Sequence, residues 1–238
     1  MASPPRLSLI LLLVACLVSL SVVALAGEAP TLLLRIPSAT DEALAALRGL
    51  VSQDDLRPLP DGSYHVFLSA SLLDQISPVV DYEVLEKSRP LRQKVADADL
   101  GADLPDGYLD LDGIWDRLSS LVRDNPNILR FVNLTSFGPG RTFEGREMLM
   151  VKLSDNVAVI EDEPNVLILA SHHAREIVNP HIVLDLLQRL VDGYNRNDTR
   201  LRKIVEENEI FLSPLWNPDG YYHVWEVDNM WRKNRKPQ

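Results

Sequence analysis

Leu167-Ile168-Leu169-Ala170-Ser171-His172-His173-Ala174-Arg175-Glu176 sets an apolar run directly against a cluster of ionisable side chains. The run reads as a buried strand, and the cluster stands where that strand gives way to a helix over about residues 176–192. Ile177, Leu184, Leu187 and Val191 mark the buried face of that helix, and Gly193 is its expected C-cap. Open α/β sheets hold ligands in the crevice beyond the carboxyl ends of their strands. The cluster falls in that place.

His173 and Glu176 are three residues apart, so on a turn entering a helix both face one side. An imidazole and a carboxylate there supply two of the three protein ligands of a catalytic zinc, leaving a position for water. Such a metal lowers the pKa of its water and polarises a carbonyl. His-x-x-Glu also occurs on ordinary solvated helix starts, so the spacing alone keeps both readings open. His172 competes as a ligand, its bland role being a hydrogen-bonded side chain at a strand end.

Around this stretch the pattern is mixed. Leu111, Ile114, Trp115, Leu118, Leu121 and Val122 form one helical face that Asn125-Pro126 ends. Strand-like runs follow at 129–134, 148–153, 166–170 and 210–215, the last running into Trp216-Asn217-Pro218-Asp219-Gly220. Helices interleaved with strands give an α/β layered domain over 105–238. Upstream, residues 27–86 read βαββαβ, the order of a split βαβ, ferredoxin-like sandwich. Residues 87–104 carry Lys87, Arg89, Arg92 and Lys94, then Asp97, Asp99 and Asp103. They read as an exposed linker that a secreted trypsin-like protease cuts after Arg92 or Lys94.

Residues 1–26 hold one charge, Arg6, then an apolar run closed by Ala24-Leu25-Ala26, the pattern of a cleaved secretory signal. An uncleaved anchor and a lipoprotein box around Cys16 are the competing readings. Cleavage leaves a secreted chain with no cysteine and no stable membrane anchor. Sequons at Asn133-Leu134-Thr135 and Asn197-Asp198-Thr199 fit secretion.

The whole chain has 238 residues, of which 46% are hydrophobic and 24% charged, with one cysteine and five histidines. These fractions exclude wholesale disorder, and the lone cysteine excludes a disulfide framework. A net charge of −10 argues against nucleic acid as the main partner.

His173-Ala174-Arg175-Glu176 after an apolar strand resembles the zinc motif of the carboxypeptidase A/B family of metallocarboxypeptidases. Three further stretches are similar to that family's motifs, in the family's order. They are Gly140-Arg141-Thr142-Phe143-Glu144-Gly145-Arg146, Asn217-Pro218-Asp219-Gly220 and Trp231-Arg232-Lys233-Asn234-Arg235. The resemblance covers residues 105–238, and residues 27–86 resemble the family's inhibitory propeptide. It implies a mixed-sheet carboxypeptidase-like catalytic domain preceded by a ferredoxin-like propeptide domain, in a secreted zymogen. It further implies that Zn2+ is held by His173 and Glu176, that Arg175 and Arg232 bind substrate, and that Arg232 stabilises the oxyanion. The implied substrate is the C-terminus of a peptide or protein. Arg141 and Arg146 are expected to do structural work.

The chain departs from the family pattern downstream. The implied third ligand is a histidine far beyond Glu176, yet the two that follow, His181 and His223, stand at other positions. The expectation is therefore the N-terminal part of a carboxypeptidase, inactive alone. A non-catalytic, protease- or peptide-binding relative is the alternative.

Overall fold

The computed structural model describes residues 28–97, 107–136 and 140–237. The expected signal, 1–26, and the end of the expected linker, 98–104, lie outside the described residues. The chain divides into two compact units at Leu85–Glu86.

In the first unit the elements run β1 (Thr31–Ile36), α1 (Asp41–Leu50), β2 (Leu56–Pro58), β3 (Tyr64–Ser69), α2 (Leu73–Ile76) and β4 (Glu83–Lys87). The sheet order is β2-β3-β1-β4, with β3 antiparallel to β1 and β2. Alternation in β1 buries Leu32, Leu34 and Ile36 on one face. Leu34 lies opposite Val66 across the ladder. Leu47 of α1 and Ile76 of α2 belong to the same core. Thr40 starts α1 by accepting the amide of Ala43, as an N-cap does.

The second unit contains α3 (Leu91–Ala96), α4 (Leu111–Asp124), β5 (Leu129–Asn133), β6 (Leu149–Leu153), β7 (Asn165–Leu169), α5 (Asn179–Asn195), α6 (Thr199–Glu206), β8 (Glu209–Ser213) and α7 (Pro218–Glu226). Its sheet is mixed, in the order β5-β6-β8-β7. β6 runs antiparallel to β5 and β8, whereas β7 is parallel to β8. Ile114, Leu118, Val151, Leu187, Leu212 and Tyr221 lie at the centre of the core. Lys152 and Glu209, both buried, pair across β6 and β8 at 2.5 Å. The bond from Lys152 holds the Glu209 carboxyl below the usual carboxylate range, against the opposing effect of burial.

Four local expectations are corrected. β7 is an edge strand of the described sheet, with Val166 and Leu167 exposed. An apolar run does not encode which of its faces the fold covers. The helix after it begins at Asn179, so His173 and Glu176 stand on the preceding turn. Gly193 lies inside α5 rather than at its end, because a Cβ there would meet Leu201 of α6 at 2.3 Å. Close helix packing selected that glycine. Finally, residues 88–96 belong to the second unit and pack onto its core. Leu91 is buried in its core, Arg89 exchanges backbone and side-chain bonds with Asn229, and Arg92 bonds Glu226 and Asp110. One leucine anchors this segment, which is too little to register as a period.

Candidate active site

The site is built where β7 ends. The Ala170 amide donates to Ser213 O and the Ala170 carbonyl accepts from the Trp216 amide, pinning the strand end to the exit of β8. Ser171 then takes a left-handed backbone, with φ of 55°, and its buried hydroxyl has no hydrogen-bond partner among the described residues. That is an unfavourable conformation for a residue with a side chain, held by the structure on both sides. The Ala174 amide donates to Arg232 O at 2.9 Å, and the Glu176 amide donates to His173 O at 3.2 Å to close the turn.

This turn brings the sequence-predicted pair together. His173 Nδ1 lies 2.9 Å from Glu176 Oε1. Asn179 Nδ2 donates to the other carboxylate oxygen, Oε2, at 3.0 Å. Arg232 Nη2 lies 3.3 Å from the same His173 Nδ1, so a guanidinium stands directly beside the pair. Arg175 is turned to donate from Nη1 to Met230 O at 3.2 Å. The pair opens onto a cleft of about 400 Å³, lined also by His172, Asn179 and Ile182.

The remaining histidines after Glu176 are engaged elsewhere. His181 Nδ1 donates to Ile177 O at 3.0 Å while its Nε2 accepts the Leu109 amide at 2.8 Å. Burial holds its pKa below the usual histidine value. His223 is buried in α7, edge-on to the Trp231 ring. His172 tilts against Trp216, with ring centroids 6.4 Å apart.

The two arginines of the 140–146 turn separate in role. Arg146 Nη1 donates to Asp219 at 2.8 Å, and Asp219 also accepts from Thr142 Oγ1 and the Glu144 amide. Arg141 bonds Glu147 at the surface. In the sequence Asn217-Pro218-Asp219-Gly220 stands out only by its similarity to a family motif, which does not disclose that its two polar side chains bind the other motifs. The available signal was two polar side chains flanking a proline and followed by glycine.

An imidazole nitrogen and a carboxylate oxygen 2.9 Å apart are the donor types zinc takes, close enough to share one ion. The residues therefore fit as two zinc ligands. Among the described residues, the one group of three potential ligand side chains is Asp155, Glu161 and Glu163, and none of these lines the cleft.

A model of the zinc carboxypeptidase family matches residues 114–238, a span that contains the whole of this site. The chain belongs to the zinc carboxypeptidase family. It is 36% identical over 140 residues to the zinc carboxypeptidase of Saccharothrix mutabilis subsp. capreolus, covering 57% of this chain and 31% of that protein. An inactive metallocarboxypeptidase of Saccharomyces cerevisiae is 33% identical over 130 residues, covering 54% and 29%. The chain thus spans about a third of the length of these carboxypeptidases. The crystal structure of thrombin-activatable fibrinolysis inhibitor matches the fold with a TM-score of 0.58 at 18% identity, covering 89% of this chain and 55% of that one. The mixed α/β architecture is that of the carboxypeptidases.

Proposed function

We propose that this chain carries the zinc and substrate-arginine part of a carboxypeptidase site that removes C-terminal residues from peptides or proteins. The observation that carries the reading is the triangle of His173 Nδ1, Glu176 Oε1 and Arg232 Nη2, with edges of 2.9 and 3.3 Å from the imidazole. His173 and Glu176 would hold Zn2+, which when bound supplies an acidified water and a Lewis acid for the scissile carbonyl. Asn179 fixes one oxygen of Glu176, so the carboxylate meets the cleft in one orientation. Arg232, permanently charged, offers its fork of donors to the carbonyl oxygen as negative charge develops there. Arg175 would bind the peptide, its guanidinium anchored at one nitrogen by Met230 O.

The first unit fits the role of a propeptide. Its order β2-β3-β1-β4 with two helices supports the ferredoxin-like reading. With residues 1–26 as a signal, the protein is a secreted zymogen, opened by a protease acting at the basic stretch 87–94. No helix among the described residues is long and apolar enough to cross a membrane.

Two zinc donors are one short of a catalytic set, and no second carboxylate lines the cleft among the described residues. The 238 residues alone are therefore proposed to bind zinc weakly and to turn over little. That shortfall, with a relative named as inactive, also supports a second reading as a non-catalytic peptide-binding protein. Chelator-competition zinc titration and hydrolysis of a blocked dipeptide test both. About one zinc, lost in His173→Ala, supports the carboxypeptidase site. Zinc uptake indifferent to His173→Ala and Glu176→Gln sinks it.

A further inference from the structure

We infer that Asn217 is a positioning residue that fixes the His173–Glu176 turn against the Arg232 segment. The inference concerns the same site and rests on the function proposed for it. The Asn217 side chain is buried, and both its amide nitrogen and its amide oxygen are engaged. Nδ2 donates both to His172 O at 3.2 Å and to Lys233 O at 3.0 Å. Oδ1 accepts the Gly220 amide at 3.0 Å, capping α7.

The two carbonyls are informative by their place in the chain. His172 directly precedes the proposed ligand, and Lys233 directly follows the proposed oxyanion arginine. Between them, the Ala174 amide bonds Arg232 O at 2.9 Å. The turn and the arginine segment are thus tied at two points, one by backbone and one through the Asn217 amide. Gly220 shows that this approach is built in. A Cβ on it would meet Asn217 Nδ2 at 2.5 Å and Lys233 O at 2.7 Å. A plain helix cap needs only the Oδ1 bond; it explains neither donor bond.

The consequence for function is geometric. The 3.3 Å separation of Arg232 from His173 depends on how the two backbones are registered, and small displacements of such groups cost large factors in metal affinity and rate.

Asn217→Ser separates the roles, because serine still caps a helix but is too short to reach both carbonyls. Asn217→Ala removes both functions. The readouts, on the full chain, are amide hydrogen exchange at Ala174, exchange at core amides such as Leu187, and zinc affinity by chelator competition. In Asn217→Ser, Ala174 is expected to exchange about tenfold faster and zinc affinity to fall about tenfold, with Leu187 unchanged. Ala174 exchange unchanged in Asn217→Ser overturns the inference, whether or not the parent chain binds zinc. Zinc uptake indifferent to His173→Ala overturns the proposed function instead, while Ala174 exchange still decides the role of Asn217.

Discussion

Asp219 Oδ1 accepts from Arg146 Nη1 at 2.8 Å, joining two stretches that lie far apart in the chain. Both Asp219 oxygens are used, Oδ1 also taking Thr142 Oγ1 and Oδ2 taking the Glu144 amide at 3.0 Å. The aspartate is 4% exposed, so its removal leaves the Thr142 hydroxyl and the Glu144 amide without this acceptor, while Arg146 keeps Glu144 at 2.6 Å. Asp219→Ala is expected to lower unfolding free energy by about 2 kcal/mol, read by urea denaturation. Arg141→Ala, whose partner Glu147 is at the surface, should change it by less than about 1 kcal/mol. Equal effects would remove the distinction drawn between the two arginines.

Ser171 yields the opposite sign. Its φ of 55° is left-handed, and its hydroxyl is buried without a hydrogen-bond partner among the described residues. Glycine adopts that backbone without the steric cost and carries no hydroxyl to desolvate. Ser171→Gly should therefore stabilise the chain by about 1 kcal/mol, seen as a raised midpoint in thermal or urea unfolding. A loss of stability would mean that the hydroxyl has a partner role that the backbone strain serves.

Spacing in the sequence is informative where contacts are local. His173 and Glu176 are brought together by one turn, so their spacing was enough to pair them. Arg232 and Asn217 reach that turn only through the packing of β8, α7 and the segment after it, which no local period encodes. The motif order signalled Arg232 by resemblance, while Asn217 entered only as one member of a motif with no role attached. In the fold, alternation disclosed β1 and amphipathic spacing disclosed α4. Gly193 was misplaced because its cause, Leu201 of α6, arrives from another helix. Helix α3 was missed because one buried leucine, Leu91, sets no period and its ion pairs, from Arg92 to Glu226 and Asp110, are long-range.

That docked helix bears on proteolysis. Arg92 donates from Nε and Nη2 to Glu226 Oε1, at 2.9 and 2.6 Å, and from Nη2 to Asp110 at 2.8 Å. A trypsin-like enzyme needs the scissile segment free of helix and partners, so cleavage waits on undocking. Half-exposed ion pairs are worth about 1 kcal/mol at most. Glu226→Gln should accelerate trypsin cleavage after Arg92 and Lys94 by about fivefold, followed by mass spectrometry of the fragments. An unchanged rate would show that Leu91, rather than the ion pair, holds the helix.

His181 sets a pH dependence of known sign. Its Nε2 must be unprotonated to accept the Leu109 amide, while Nδ1 keeps its proton for Ile177 O. Burial lowers its pKa, with the bond to Ile177 O opposing that shift. The unfolded chain therefore takes up the proton first as pH falls. The stability His181 contributes is complete above its unfolded pKa of about 6.5 and declines below it, until the folded-state pKa is passed. Protonation breaks the grip on the Leu109 amide, leaving its carbonyl held by the Tyr221 hydroxyl at 2.7 Å. Thermal unfolding of the parent and of His181→Gln, from pH 8 to pH 5, isolates this component. The parent should lose more of its midpoint than the variant below pH 6.5, and the two curves should run parallel above it. Parallel curves throughout would place the titration of this region on other groups.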